Sequence, residues 1–231
     1  MLVNVGKLMS HTSTKGGGGV KHPFNPSLVD AWFMSGLSNA DKPGSITGVM
    51  GNEMILKNFA FTSESGFGEG NYEGALVFDG VDDYGICTGL PIMTDYTVIC
   101  RRIILTKPYY YYAVASKSKV ANEGAFIFEI IQDQIYNHCH SFGANNRIDL
   151  YNGEISWQTK DSYNGNTIKA SNGKDSDHLF IGRLRDTTKG FVLQGVIYYF
   201  ALYNKSLTPE EVEEEKVKLE NYWEGGKNEL A

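Results

Sequence analysis

Among the side chains of this 231-residue chain that could do chemistry, aromatic rings and planar amides are gathered in a few short segments. Sugars are bound by stacking on aromatic rings and by hydrogen bonds from amides and carboxylates to hydroxyl groups. Such residues gather in the tyrosine run after Pro108 and in the segments 141–147 and 159–167. We therefore predict a glycan-binding surface formed by Tyr109, Tyr110, Asn145, Asn146, Trp157, Asp161, Tyr163 and Asn164. For the run Tyr109–Tyr112, a strand with two core rings and two surface or interface rings is the alternative.

Paired carboxylates that could hydrolyse a glycosidic bond give a different result. Glu129 and Asp133 share one face of a predicted strand, but they are separated by about 13 Å along it. Hydrolysis by two carboxylates needs a separation of roughly 5–9.5 Å. Asp82 and Asp83 are adjacent and would point to opposite faces of an extended segment. We therefore predict no catalytic residues and a protein that is not an enzyme.

Metal and phosphate signatures are equally weak. His138 and His140 would share a strand face with Cys139 turned away, and a closed zinc site needs two further ligands. The run Gly16–Gly19 lacks the Lys-Ser/Thr pair of a phosphate-binding loop, and Ser116-Lys-Ser-Lys119 lacks the motifs that accompany Ser-x-x-Lys in serine enzymes. We expect no metal and no cofactor, with a structural calcium ion left open.

The elements that must position these residues are short strands. Asn152-Gly153, Asn164-Gly165 and Asn172-Gly173 recur about every ten residues, and each can supply the positive φ that a tight hairpin needs. Seven or more short strands at this spacing indicate an all-β sandwich or jelly roll. The predicted strands are Ala75–Phe78, Tyr96–Leu105, Ala125–Ile131, Arg147–Leu150, Glu154–Gln158, His178–Leu184 and Phe191–Tyr203.

One helix is predicted near the C-terminus. Thr208 is its N-cap, Pro209 suits the first turn, and Glu211 completes a capping box. Val212, Lys216, Leu219 and Trp223 would form a narrow stripe against the body. The pair Gly225-Gly226 is predicted to end the helix.

Charge divides the chain into three predicted parts: an anchor peptide with a glycine-rich linker (1–22), a jelly-roll domain (23–208), and a helix with a short tail (209–231). Their net charges are +3 for residues 1–22, −5 for 209–231 and −4 for the rest. A near-neutral body disfavours nucleic-acid binding, and the longest uncharged run is too short for a membrane span. Three cysteines cannot form a disulfide framework, and no signal peptide is recognisable. In the flexible arm, the apolar residues Leu2, Val3, Val5 and Leu8 are predicted to mediate assembly, and an untethered, disordered terminus is the alternative.

Two motifs resemble the concanavalin A-like superfamily of LamG-type jelly rolls. The first is Gly74-Ala-Leu-Val-Phe-Asp-Gly-Val-Asp-Asp-Tyr84. The second begins at Phe180-Ile-Gly-Arg183 and closes at Ala201-Leu-Tyr-Asn-Lys-Ser-Leu-Thr-Pro-Glu-Glu211. This resemblance implies two antiparallel sheets in a jelly-roll sandwich. The Glu-x-Asp-x-Glu strand of the glucanase branch is absent, which favours a member that is not catalytic.

The segment Val29–Asn39 resembles LamG-like proteins encoded by phages of gut bacteria. This resemblance implies a virion structural protein, such as a head or tail fibre or decoration protein, assembled in the host cytoplasm and displayed on the particle. Its expected partners are other virion proteins through the arm, host surface glycans, and further copies of the chain. The rings of Val196-Ile-Tyr-Tyr-Phe200 suggest a subunit contact. A purely structural oligomerisation module, a bacterial cell-surface glycan-binding protein and a divergent glycosidase are the alternatives.

Overall fold

The structure is a computed structural model that describes residues 22–105, 112–118, 124–131, 136–149, 155–185 and 191–227. Within these residues the chain forms two antiparallel β-sheets and one long C-terminal helix, which confirms the predicted all-β sandwich. In chain order the elements are β1 (Leu28–Phe33), β2 (Ser45–Thr47), β3 (Glu53–Lys57), β4 (Gly66–Phe67), β5 (Leu76–Asp79), β6 (Tyr84–Cys87), β7 (Thr97–Ile104), β8 (Tyr112–Ser116), β9 (Phe126–Ile131), β10 (Tyr136–Ser141), β11 (Ala144–Asp149), β12 (Ile155–Thr159), β13 (Ser162–Tyr163), β14 (Asn166–Thr167), β15 (Leu179–Ile181), β16 (Gln194–Tyr203) and α1 (Pro209–Lys227), with a 3₁₀ turn at Gly70–Tyr72.

Each sheet has eight strands among the described residues. The first sheet has the order β14-β13-β12-β7-β16-β5-β4, and β1 also pairs with β16. The second sheet has the order β11-β10-β9-β8-β15-β6-β3-β2. Strands that are neighbours in a sheet are often distant in sequence, as expected for a jelly roll. For example, β16 pairs both with β1, near the start of the described residues, and with β7, near their middle.

The core between the two sheets is rich in buried aromatic side chains. Trp32, Phe78, Phe128 and Phe200 are buried there, and Tyr96 packs on Phe126 with ring centroids 5.1 Å apart. The cysteines Cys87, Cys100 and Cys139 are buried and unbridged. The two longest of the described strands, β7 and β16, pair along most of their length.

One of the Asn-Gly pairs that the structure describes forms the predicted hairpin. Asn164 (φ 44°) and Gly165 (φ 82°) connect β13 to β14, and two successive positive φ angles are the requirement of a type I′ turn. Asn172-Gly173 lies instead between β14 and β15 and joins no hairpin. Gly173 lies close to the carbonyl group of Phe142, where a Cβ atom would lie 2.2 Å from the oxygen.

The helix α1 begins as predicted and ends later. The amide of Glu211 donates to Thr208 Oγ1 at 3.2 Å and the amide of Thr208 donates to Glu211 Oε2 at 2.9 Å, which is a reciprocal capping box. The helix continues through Gly225 and Gly226 to Lys227, so the predicted end at the glycine pair is wrong. A Cβ atom on Gly226 would lie 2.5 Å from Ser35 Oγ, so this glycine serves close packing.

Helix α1 covers the outer face of the first sheet. Val212, Leu219 and Trp223 are buried against a cluster that includes Val196 and Tyr198 of β16. The indole of Trp223 donates to the carbonyl oxygen of Gly74 at 2.7 Å. Two of the rings of β16 that suggested a subunit contact, Tyr198 and Tyr199, are therefore covered by the chain's own helix, and the third, Phe200, lies in the core between the sheets. That interpretation of the strand is corrected, because an apolar outer face is required wherever a helix packs on a sheet.

A buried ion pair fixes several loops of the second sheet. Lys117 Nζ and Asp175 Oδ2 are 2.6 Å apart, and both side chains are fully buried. The same lysine donates to the carbonyl oxygen of Pro91, and the carboxylate accepts from the amides of Met93 and Ala125. Burial lowers the pKa of Lys117, and the hydrogen bond to Asp175 opposes that shift. The pair thus joins segments that are 58 residues apart.

Residues 1–21 lie outside the described residues, so the flexible arm and its apolar positions Leu2, Val3, Val5 and Leu8 stay predictions. In the described part of the chain, no helix combines the length and the apolarity needed to cross a membrane.

Candidate functional site

The outer faces of the two sheets differ in how far solvent and ligands can reach them. The outer face of the first sheet is buried beneath α1. On the second sheet, β3 and β6 alternate between buried and accessible side chains, with Met54, Leu56 and Cys87 in the core. The side chains between them point away from the core. We call this surface the open face and define it by Ile55, Lys57, Tyr84, Ile86, His178 and Arg183.

The centre of the open face is apolar. Ile55, Ile86 and Phe180 are paired across β3, β6 and β15, so their side chains form one row. Ile55 is 41% exposed and Ile86 is partly exposed, whereas Phe180 is buried because neighbouring rings cover it. A partly exposed apolar row on a sheet is a surface that a ligand or partner can cover.

Tyr84 is flanked by two cations. Its ring centroid lies 6.3 Å from that of Phe180, and the guanidinium carbon of Arg183 lies 4.7 Å above its ring centre. Lys57 is the residue directly opposite Tyr84 on β3, and its side chain is exposed. A guanidinium group held over a ring is a cation–π pair whose planar fork of donors keeps a fixed orientation.

His178 continues the aromatic surface on the other side of Phe180. The two rings stack with centroids 6.4 Å apart and an interplanar angle of 27°. His178 Nδ1 lies 2.6 Å from Asp177 Oδ1, so that the imidazole is oriented by a neighbouring carboxylate. The open face therefore combines rings, cations, a carboxylate and an imidazole.

Three carboxylates adjoin Tyr84, one at the end of β5 and two in the turn that leads to β6. One oxygen from each of Asp79, Asp82 and Asp83 lies within 4.8 Å of the others. Among the described residues, this is the only group of three or more His, Cys, Asp or Glu side chains that could hold one metal ion. Hard cations such as calcium prefer carboxylate oxygens, so these residues could hold one. Asp83 is fully buried, and its burial raises its pKa to about 6, while hydrogen bonds from the Asp79 amide and from Ser65 oppose that shift.

The predicted glycan-binding residues that the structure describes lie elsewhere, on and beside β11 to β13. The rings of Trp157 and Tyr163 are buried, each in a different one of the two largest hydrophobic clusters. Asp161 is exposed, and one of its carboxylate oxygens accepts a hydrogen bond from Thr159. Their glycan-binding role stays a prediction. The buried rings offer no accessible stacking surface in this arrangement.

The predicted amides are used to satisfy backbone groups. Asn146 Nδ2 donates to the carbonyl oxygen of Lys169 at 2.9 Å, and Asn146 Oδ1 accepts from the Lys169 amide at 2.7 Å. Asn164 Oδ1 accepts from the Trp157 amide at 2.8 Å. Tyr109 and Tyr110 lie outside the described residues, and Asn145 is described only as part of β11. Among the described side chains of the predicted set, Asn146, Trp157 and Asn164 make the structural contacts given above, and Tyr163 is buried, so they do not line an open surface.

Sequence reasoning missed the open face. The alternation of Tyr84-Gly85-Ile86-Cys87 was a usable signal, because it places a tyrosine and an isoleucine on one side and a buried cysteine on the other. Nothing local indicated that Arg183 would lie over Tyr84, since the two are 99 positions apart in the sequence.

Solved structures match the fold at low identity. A Trypanosoma rangeli sialidase in complex with sialic acid matches with a TM-score of 0.57 and 12% identity, covering 82% of this chain and 32% of the sialidase. An HCR/D mutant matches with a TM-score of 0.52 and 11% identity, covering 87% and 52%. A botulinum neurotoxin type C structure, titled for its interaction with two gangliosides, reaches 0.49 at 12% identity, covering 80% and 50%, which is too low to support an argument.

These likenesses show the fold, a β-sandwich that also occurs in carbohydrate-binding proteins such as the sialidase bound to sialic acid. The chain spans about a third of the sialidase's length. Neither a protein-family model nor a curated protein matches the sequence.

The prediction that the protein is not an enzyme is corrected by these matches, because several of the matching structures are sialidases. The prediction depended on the separation of Glu129 and Asp133, and that argument assumes two catalytic carboxylates. Sialidases are an exception to that arrangement and use a tyrosine nucleophile. Carboxylate spacing therefore excludes no hydrolase of this kind.

Proposed function

We propose that the protein binds carbohydrate and that the open face is its ligand surface. The observation that carries the proposal is the unequal cover of the two sheets. Helix α1 closes the outer face of the first sheet, and Tyr84 and Ile86 remain partly exposed on the second. Among the described residues, the open face is a sheet surface that a ligand can reach without displacing the helix.

The chemistry of the open face suits a sugar. Ile55 and Ile86 offer apolar surface to the C–H groups of a pyranose ring, and Tyr84 adds a ring and a hydroxyl group. Lys57 and Arg183 offer donors to its oxygens. The sialidase complex with sialic acid supports the proposal as an example of this fold in a carbohydrate-binding protein.

A glycan array with the purified chain tests the proposal, followed by titration calorimetry on any glycan that binds. We expect Tyr84→Ala to weaken binding at least tenfold. Tyr72→Ala is the matched control, because Tyr72 is also partly exposed but packs beside the helix-covered cluster. The same glycans are assayed for released sugar, so that hydrolysis is detected independently. Binding that is equal in both variants would contradict the assignment to the open face.

We also propose, on the sequence resemblance of Val29–Asn39 to phage-encoded LamG-like proteins, that the protein is a virion appendage or decoration protein attached through residues 1–22. A chain that lacks residues 1–22 should fold but should be absent from purified particles, as measured by mass spectrometry. Undiminished incorporation of the truncated chain would contradict attachment through this segment.

A further inference from the structure

The two cations beside Tyr84 indicate which sugars the open face selects. Lys57 is directly opposite Tyr84 in the register of β3 and β6, and the Arg183 guanidinium carbon lies 4.7 Å above the Tyr84 ring centre. Two basic residues thus adjoin one partly exposed ring, Lys57 through the strand pairing and Arg183 through its guanidinium group above the ring. A ligand that contacts Tyr84 therefore binds next to both residues.

The carboxylates near Tyr84 differ in exposure, and so they differ in how strongly each would repel a bound anion. Asp83 is fully buried and accepts hydrogen bonds from Ser65 and from the Asp79 amide. Asp177 contacts His178 at 2.6 Å. Asp82 is exposed and lies two positions before Tyr84. Asp79 is partly exposed, and its Oδ1 accepts a hydrogen bond from the Val81 amide. Asp82 is therefore the most exposed carboxylate of this group and the one that would most directly repel a negatively charged ligand.

We infer that the open face binds acidic saccharides, with the Arg183 guanidinium and the Lys57 ammonium group contacting a carboxylate of the sugar beside the Tyr84 ring. This inference rests on the proposed function. Arginine donates to carboxylates through two parallel N–H groups, and lysine adds a point charge. Such charged hydrogen bonds are roughly twice as strong as neutral ones.

The test uses paired probes, each an acidic oligosaccharide and the same oligosaccharide with its carboxyl groups reduced to alcohols. A galacturonic acid trisaccharide and its reduced form are the first pair. We expect the acidic member to bind at least tenfold more tightly, and we expect this preference to shrink when the salt concentration rises from about 0.05 M to about 0.5 M, because salt screens exposed charges.

Substitutions distinguish the contribution of the two cations to binding from that of the other residues of the open face. Arg183→Gln and Lys57→Gln should each remove most of the preference for the acidic probe, Arg183→Lys should retain part of it, and Asp82→Asn should increase it. Lys169→Gln is the matched control. Lys169 is exposed and joined through its backbone to β11, five strand spacings or about 24 Å from β6.

The outcomes distinguish the two proposals. Equal affinity for the acidic and reduced probes would overturn this inference and leave carbohydrate binding intact. Binding of the acidic probe that is unchanged in Arg183→Gln and Lys57→Gln would also overturn it. No binding of any glycan across an acidic and neutral panel would overturn the proposed function itself.

Discussion

The phenol of Tyr203 donates a 2.9 Å hydrogen bond to Oε2 of Glu215 beneath the C-terminal helix. The same carboxylate oxygen accepts from the amide of Asn25 at 3.0 Å, and Lys218 lies 2.6 Å from the other oxygen. One buried carboxylate therefore joins the start of the described chain, β16 and α1. It fixes the helix over the first sheet and so determines which face stays open.

Loss of this carboxylate should destabilise the fold. Glu215→Ala leaves the Tyr203 hydroxyl group and the Asn25 amide without their acceptor, which should lower the free energy of unfolding by about 2–4 kcal/mol. Urea denaturation measures the change. Glu214→Ala, one position away on the exposed side of the helix, should change stability by less than about 0.5 kcal/mol. Equal effects of the two substitutions would show that Glu215 does not hold the helix.

The stability of the protein should depend on pH through Asp83. Its pKa in the folded chain is about 6, above the ordinary value of 3.8, so the folded state binds this proton more tightly than the unfolded state does. The contribution to stability therefore increases as the pH falls through about 6, and it is complete below about 3.8. Between pH 7.5 and pH 4.5 it amounts to about 2 kcal/mol.

Denaturation of the wild type and of Asp83→Asn at both pH values isolates this effect. A chelator is present so that no divalent cation binds the loop. The wild type should gain about 2 kcal/mol relative to Asp83→Asn on acidification, because the asparagine does not titrate. Parallel pH profiles would contradict a raised pKa at this position.

The two glycines near the end of α1 should respond oppositely to alanine. A Cβ atom on Gly225 meets nothing within 4 Å, so Gly225→Ala should stabilise the helix by about 0.5–1 kcal/mol. A Cβ atom on Gly226 would lie 2.5 Å from Ser35 Oγ and 3.3 Å from its Cβ. Gly226→Ala should therefore forfeit that gain. Thermal denaturation of the two variants measures the difference in stability. A greater stabilisation by Gly226→Ala than by Gly225→Ala would contradict the close packing of Gly226 against Ser35.

Removing one member of the buried pair Lys117 and Asp175 should lower the free energy of unfolding more than replacing both members with apolar residues. Lys117→Met leaves an unpaired carboxylate in the interior and should lower the free energy of unfolding by about 3–5 kcal/mol. The double variant Lys117→Met/Asp175→Leu should recover much of this loss, because it removes the stranded charge. Urea denaturation of the single and double variants tests this. A double variant less stable than Lys117→Met would show that the loop hydrogen bonds of Asp175 dominate.

The sandwich and the start of the helix could be predicted because their causes are local. Each of the seven predicted strands overlaps a strand of the structure, and Thr208 with Glu211 correctly indicated the first turn of α1. The other nine described strands, namely β1 to β4, β6, β8, β10, β13 and β14, lie outside that predicted set. The end of α1 could not be predicted in this way. A glycine just after the last turn is typical of a helix end, whereas Gly226 lies inside α1, where the close approach of Ser35 leaves no room for a side chain.

The sequence indicated which types of residue would form a candidate site, but not where on the fold the site would lie. Planar amides bind sugar hydroxyl groups and backbone groups by the same hydrogen bonds, so the sequence cannot tell which use an asparagine has. Asn39 illustrates the second use, since its side chain pairs with both the amide and the carbonyl oxygen of Phe67, at 2.7 and 2.8 Å. The open face depends on long-range placement, because Arg183 reaches Tyr84 only through the pairing of β6 with β15.

Titration of the array's tightest-binding glycan into the wild type, Tyr84→Ala and Tyr72→Ala tests the central claim most directly. Our account predicts saturable binding to the wild type and to Tyr72→Ala, with at least a tenfold loss in Tyr84→Ala while its thermal unfolding remains cooperative. Undiminished affinity in a folded Tyr84→Ala variant would contradict carbohydrate binding at the open face.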